Sequence, residues 1–365
     1  MGANTETIDC IHHLCGYSAP FENHTSEGFR AMQMIQLLIG LLFSTLFMSH
    51  AVAECFQVEK IRDGDYPGAQ THEAFEITQP GRHCMKESIT SHRVFIWTEG
   101  GEKSGNGSMG GIRVSGVSLD LLGRSVIAEA AGVSGIDSGN RLRQPLSNIS
   151  VYNGSIRIRD GWAIQFIDPI KWDVDRPKKS FFQFSEKLPS LYDTEASEYQ
   201  NFLTMRQALA RDFPVTSHQV TGLNIDSSMR AIDIRGAGNR VIGNKIKVRD
   251  FFNGIYLSGP RQTIENNIIV VSTSPTEPHD GPIKLAMADD SVIRNNTIII
   301  EGGGDNPGAA ISIVGSKNVV IENNKIIGTK TLFKIWDEDA DQKSNVIERG
   351  NTFEEPSLLQ RIFRR

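Results

Sequence analysis

Pairs of adjacent asparagines interrupt runs of Val and Ile at "QTIENNIIV" (262–270), "SVIRNNTIII" (291–300) and "NVVIENNKIIG" (318–328). Asn is depleted in strands, and a buried strand has no use for an amide unless that amide is hydrogen-bonded. A chain that rebuilds the same interruption is meeting a geometric demand. Aligned with "RVIGNKI" (240–246) and "NVIERGNTF" (345–353), these lines place Asn at 224, 244, 267, 296, 324 and 351, spaced by 20, 23, 29, 28 and 27 residues. "HQVTGLNI" (218–225) and "NISVYNGSI" (148–156) are weaker copies. A period in this range means a solenoid or a similar array of stacked units.

A second pattern follows each aligned Asn. Short alternating strands occur at "AIDIRG" (231–236), "GIYLSG" (254–259), "PIKLAM" (282–287), "AISIVG" (310–315) and "LFKIWD" (332–337), with "GIRVSG" (111–116) and "AIQFID" (163–168) before them. Each repeat reads strand, Asn turn, strand, variable loop, strand, short turn. No helix falls inside it, so leucine-rich, ankyrin and armadillo repeats fit poorly. Three short strands per turn define an all-β parallel β-helix, with coils about 4.8 Å apart. At the sharp corner between the first two strands Asn tolerates left-handed backbone. Stacked in register, its amide bonds from coil to coil, so the buried polar group is paired. The expected ladder is Asn244, Asn267, Asn296, Asn324 and Asn351, with Asn224 aligned at its head and Gly123 at the equivalent corner of an earlier coil.

The "ENN-I-I" lines, "VSLDLLGRSVIAEAAGVSGI" (117–136) and "FEITQPGRHCMKESIT" (75–90) together resemble the right-handed parallel β-helix proteins of the pectin-lyase-like superfamily over roughly residues 76–355. The resemblance implies a right-handed solenoid. It also implies that, in members acting on polysaccharides, the strand after the variable loops carries the substrate groove.

Outside the repeat, "MQMIQLLIGLLFSTLFMSHAVAEC" (32–55) has an apolar run short of the roughly 20 residues of a membrane span and ends in an A-x-A signature at Ala51–Ala53. It reads as a signal peptide over 32–53, with a secreted or periplasmic product and no stable membrane anchor after cleavage. Residues 1–31 carry four acidic side chains against Arg30, unlike a signal's positive leading region. Translation is expected to start at Met32 or Met34, which makes 1–31 a non-native leader. Residues 54–365 then form one β-helix domain. Beyond residue 53 there are 37 basic and 39 acidic side chains, a balance that by net charge alone argues against binding a polyanion, and no nucleic acid is expected as a partner. Two cysteines remain, Cys55 and Cys84, and export permits one disulfide between them.

Residues 54–75 are expected to cap the first coil. "EPSLLQRIFRR" (355–365) is expected to form a short helix over the last coil, since solenoid ends need covering. An insertion at about 169–217 contains an expected helix over 193–213, with Tyr199, Phe202, Leu203, Leu209 and Phe213 on one stripe and Asp193 or Thr194 as its cap.

No metalloprotease, nucleophile-elbow, P-loop or zinc-ligand motif is present. The site argument is geometric. In each "AIDIRG"-type strand the apolar residues face inward and the residue between them faces out. Stacking then gives one column: Arg113, Asp137, Gln165, Asp233, Tyr256, Lys284, Ser312 and Lys334. A neighbouring column holds Arg235, Ser258 and Trp336. A plain solvated face is polar too, but this one sets acid, aromatic and cation side by side beneath variable loops, where sites are built.

Two chemistries suit it. β-Elimination or C5-epimerisation of a uronic acid needs a cation for the carboxylate and a base for the C5 proton: Arg235 or Arg113 as cation, Lys284 or Tyr256 as base. His279 is a further base, in "EPHD" (277–280), which is similar to the D-P-H-D element of alginate C5-epimerases with Glu277 in place of the first Asp. Glycoside hydrolysis would instead pair Asp137 with Asp233, two coils apart. A third reading is a non-catalytic surface or periplasmic β-helix for adhesion or glycan binding. "WDEDADQ" (336–342) clusters carboxylates in a way that suits calcium, but its spacing matches no calcium loop, and no cofactor is expected.

Overall fold

The alternating strands of each repeat wind into three faces. The computed structural model describes residues 55–62, 73–91, 98–99, 102–103, 107–131, 133–138, 145–167, 213–249, 253–272, 281–301, 308–335 and 345–355. Strands before the Asn corner, such as Thr263–Glu265, Val292–Arg294 and Val319–Glu322, form a first face. Strands after it, Ile268–Ser272, Thr297–Glu301 and Lys325–Ile327, form a second. Ile255–Ser258, Ile283–Ala286 and Ala309–Val314 belong to a third. A 17-stranded sheet wraps the first two faces and a 10-stranded sheet makes the third. Pairing between coils is parallel and in register: Ile264 lies on Ile293 and Ile321, Ile269 on Ile298 and Ile326, and Ile255 on Ile283 and Ile311. These isoleucines are wholly buried. At about 1.5–3 kcal/mol for each buried aliphatic side chain, the stacked columns are the main source of stability. No described residue is helical.

The corner divides its work between two residues, where the sequence argument gave both tasks to one Asn. The left-handed backbone belongs to the first residue: Asn266, Asn295 and Asn323 have φ of 58°, 56° and 54°, and all three are exposed. Where a coil has one Asn, glycine takes that place, as Gly243 and Gly350 do with φ of 66° and 65°. The second residue turns inward. Asn244, Asn267, Asn296 and Asn324 are each 1 % exposed. The Nδ2 of Asn267 donates to Asn296 Oδ1 at 3.0 Å and to the Val241 carbonyl at 2.9 Å, and its backbone N–H donates to the same Oδ1 at 2.9 Å. The pattern repeats from Asn244 to Asn351. Asn224 is not part of it. It is exposed and pairs with Lys245, while Leu223 holds the inward position and donates its N–H to Asn244 Oδ1 at 2.9 Å.

The N-terminal coils are built differently. Phe56–Val58 pairs with His83–Met85, and Phe75–Ile77 with Gly110–Ile112, so much of the segment expected as a cap supplies sheet strands. A disulfide joins Cys55 to Cys84. The chain regains the β-helix sooner than the expected insertion boundary at 217. Val215 bridges to Ala237, and buried Thr216 donates to Asn239 Oδ1 at 2.7 Å. Phe213, placed on a helical stripe from sequence, is not helical and packs with Ala237 and Met287. The expected leader and signal peptide, residues 193–212 of the expected insertion helix, the expected helix after Glu355 and the 336–342 acidic run lie outside the described residues.

Candidate functional site

The third face places its outward side chains in one file. Its rungs are Glu76, Gly111, Asp137, Gln165, Asp233, Tyr256, Lys284, Ser312 and Lys334. Arg113 is therefore two residues off the file, where Gly111 stands. The side chain still reaches it. A Cβ on Gly111 would fall 2.4 Å from an Arg113 guanidinium nitrogen, so the missing side chain is the space the guanidinium occupies. From there Arg113 Nε donates to Glu76 at 3.1 Å and a terminal nitrogen donates to Asp137 at 2.8 Å. All three side chains are at most 24 % exposed.

The middle of the file is the densest in chemistry. Asp233 is 1 % exposed. One of its oxygens accepts from Arg230 at 2.6 Å, and the other has no hydrogen-bond partner. The Arg230 guanidinium lies 4.4 Å from the centre of the Tyr256 ring, and Lys284 Nζ lies 5.6 Å from it. Both distances are within cation–π reach. Tyr256 follows Asp233 in the file and precedes Lys284, so the phenol stands between one cation from the coil before and one from the coil after.

Several expected members have other duties. Ser312 is 1 % exposed, and its Oγ accepts the Gly281 N–H at 2.7 Å; it ties down the lead-in to strand Ile283–Ala286 instead of facing a ligand. Gln165 accepts from Ser134 Oγ at 3.4 Å. Arg235 and Ser258 share the neighbouring column, with Ser258 buried. Lys334 is exposed at the C-terminal end. His279 and Trp336 lie outside the described residues. Asp137 and Asp233 are two rungs apart, about 9.6 Å at the ordinary strand spacing. Each is held by an arginine, and burial closes Asp233 to water and sugar alike.

Sequence reasoning missed Glu76 and Arg230. Glu76 was legible: Phe75 and Ile77 are buried around it, the same in–out–in pattern used for every other rung. Arg230 was not, because it sits in a turn ahead of its strand and reaches the column only through side-chain length.

Elsewhere the first face carries Glu265, Arg294, Glu322 and Arg349 in one register. Hydrogen bonding to Glu265 holds the Arg294 guanidinium above its usual range, and Asp120 does the same for Arg82. Among the described residues no group of three or more His, Cys, Asp or Glu is arranged to hold a metal.

Residues 215–357 match the family described as a right handed beta helix region. No curated protein and no solved structure matches the chain. The matched span covers the Asn-ladder coils together with Asp233, Tyr256, Lys284 and Lys334. With its parallel coils, the fold is a right-handed parallel β-helix.

Proposed function

We propose that this right-handed β-helix is an exported protein that holds an acidic polysaccharide along its third face and acts on uronic acid units by β-elimination or C5-epimerisation. The observation that carries the reading is the Tyr256 phenol set between Arg230 and Lys284. Abstraction of the C5 proton leaves charge on the sugar carboxylate, and two adjacent cations would stabilise it. Tyr256 Oη is the base assigned to that proton, with Lys284 and Arg230 as the cations. In elimination the C5–H electron pair forms the C4=C5 bond, the C4–O bond breaks, and the departing oxygen takes a proton. In epimerisation the proton returns to the opposite face of C5. Asp233, buried and paired with Arg230, is the residue that positions Arg230 and not a catalytic carboxylate. Hydrolysis by Asp137 and Asp233 has less support, since both carboxylates are already engaged.

A non-catalytic glycan-binding β-helix is the second reading, favoured by how many column members bind one another. Alginate, pectate and glycosaminoglycans, offered in turn, separate the two. The enzyme reading expects ultraviolet absorbance from a 4,5-unsaturated sugar or an altered epimer ratio by NMR. Tyr256→Phe should lower kcat by roughly 10²–10⁴-fold, and Lys284→Ala should abolish product. Retention of polymer without product from any uronan would leave only the binding reading.

A further inference from the structure

The second face carries an unexplained patch on its N-terminal half. Two outward columns run there in register. One is Ser125, Ser155, Asn224 and Lys245; the other is Ile127, Arg157, Asp226 and Lys247. Arg249, on the same strand end as Lys247, sets its Nε 3.1 Å from one Asp226 oxygen. Arg157 Nε stands 4.0 Å from the other, at the outer limit of an ion pair, and its side chain is 68 % exposed. Asp226 is thus answered by Arg249, and Arg157 keeps most of its charge in solvent. Lys245 and Lys247 are exposed and make no ion pair with any described residue. The same strands also carry Glu129 and Asp160 beyond the columns. Beside Arg157 lies a cavity of about 190 Å³ lined also by Ser125, Ile127, Ser155, Asn224 and Asp226, with Ile156 beneath.

We infer that this half-face is a second binding surface, separate from the third-face column, for a polyhydroxylated polyanion: an acidic polysaccharide chain. A chain with formal charge −5 gains nothing for solubility by gathering cations on one flat face. The short hydroxyl and amide column offers donors and acceptors to sugar hydroxyls. Arg157 and the Lys245–Lys247 pair stand two coils apart, with Asp226 on the coil between, so the surface offers positive charge to an extended chain at every second coil. The cavity is below the roughly 300–1,000 Å³ of drug-sized sites and suits a single ring. An anionic bilayer would meet the cations equally well but has no use for a polar cavity beside Arg157. The inference does not depend on catalysis at the third face.

The test passes the secreted form of the protein over immobilised heparin, polygalacturonate and neutral dextran across a salt series. Binding to the two anionic polymers should fall steeply with salt, and dextran should not retain the protein. The triple variant Arg157→Ser, Lys245→Ser, Lys247→Ser should bind at least about tenfold more weakly, on the scale of three exposed ion pairs. A charge-matched control, Arg240→Ser, Arg261→Ser, Lys317→Ser, should stay within about twofold of the parent. All the substituted side chains face outward, and circular dichroism melts report folding of each variant. Unchanged retention of the triple variant overturns the inference. So does equal loss in the control, equal retention by dextran, or capture by anionic vesicles without capture by either polymer.

Discussion

The C-terminal coils, from Arg240 to Glu354, and the N-terminal coils, from Phe56 to Phe166, share one architecture but close their corners by different chemistry. In the C-terminal half a single device repeats. An exposed Asn or Gly takes the left-handed φ, and a buried Asn passes a pair of hydrogen bonds to the next coil. In the N-terminal half each junction has its own solution. Asp120 accepts from Leu122 N–H and Asn153 Nδ2 with one oxygen and from Arg82 with the other. Arg113 bridges Glu76 and Asp137, and the disulfide ties the first strand to the next coil. A solenoid needs only that each coil fit its neighbours, so periodic and singular devices do the same work. The family match, residues 215–357, takes in the whole of the periodic half.

The sharpest way to break the comparison is in the middle of the ladder. Asn267→Ala removes the acceptor of two Asn244 donors and the donor to the Val241 carbonyl. At roughly 1–3 kcal/mol for each buried polar group left unpaired, the loss should be about 3 kcal/mol or more in urea denaturation. Asn351→Ala, at the solvated end, should cost less than half of that. If the two cost the same, the ladder is not a ladder energetically. On the N-terminal side, Cys55→Ser with Cys84→Ser should cost about 2–4 kcal/mol. Hydrogen exchange should show Phe56–Val58 opening before any ladder strand. Asp120→Ala should cost about 2 kcal/mol, the expected penalty for a singular hub with fewer buried partners than Asn267. The exposed corner residue should matter least. Asn295→Gly should stay within about 0.5 kcal/mol, while Asn295→Ala should lose roughly 1–2 kcal/mol to the left-handed backbone.

The candidate site divides along similar lines. The rungs Asp137, Gln165, Asp233, Tyr256, Lys284, Ser312 and Lys334 were legible, because in–out alternation is a local property of a strand and stacking carries it from coil to coil. The column's chemistry was not. Asp233 is an outward residue by periodicity, yet it is buried, because Arg230 reaches in from a turn and pairs with it. Arg113 is off the file by periodicity, yet its guanidinium lies in the file, because Gly111 leaves room. Ser312 is in the file, yet its hydroxyl is spent on the Gly281 N–H.

By itself the sequence determined the coils, the corners and the inward faces. Each of these is a local demand: a left-handed φ that Asn or Gly meets, or a period of two that sorts apolar from polar. Tertiary structure alone decided which Asn is buried and which is exposed, where the insertion rejoins the β-helix, and which outward side chains are open to a ligand. Those outcomes depend on how far a side chain reaches across coils that are distant in sequence. No spacing along the chain encodes that distance.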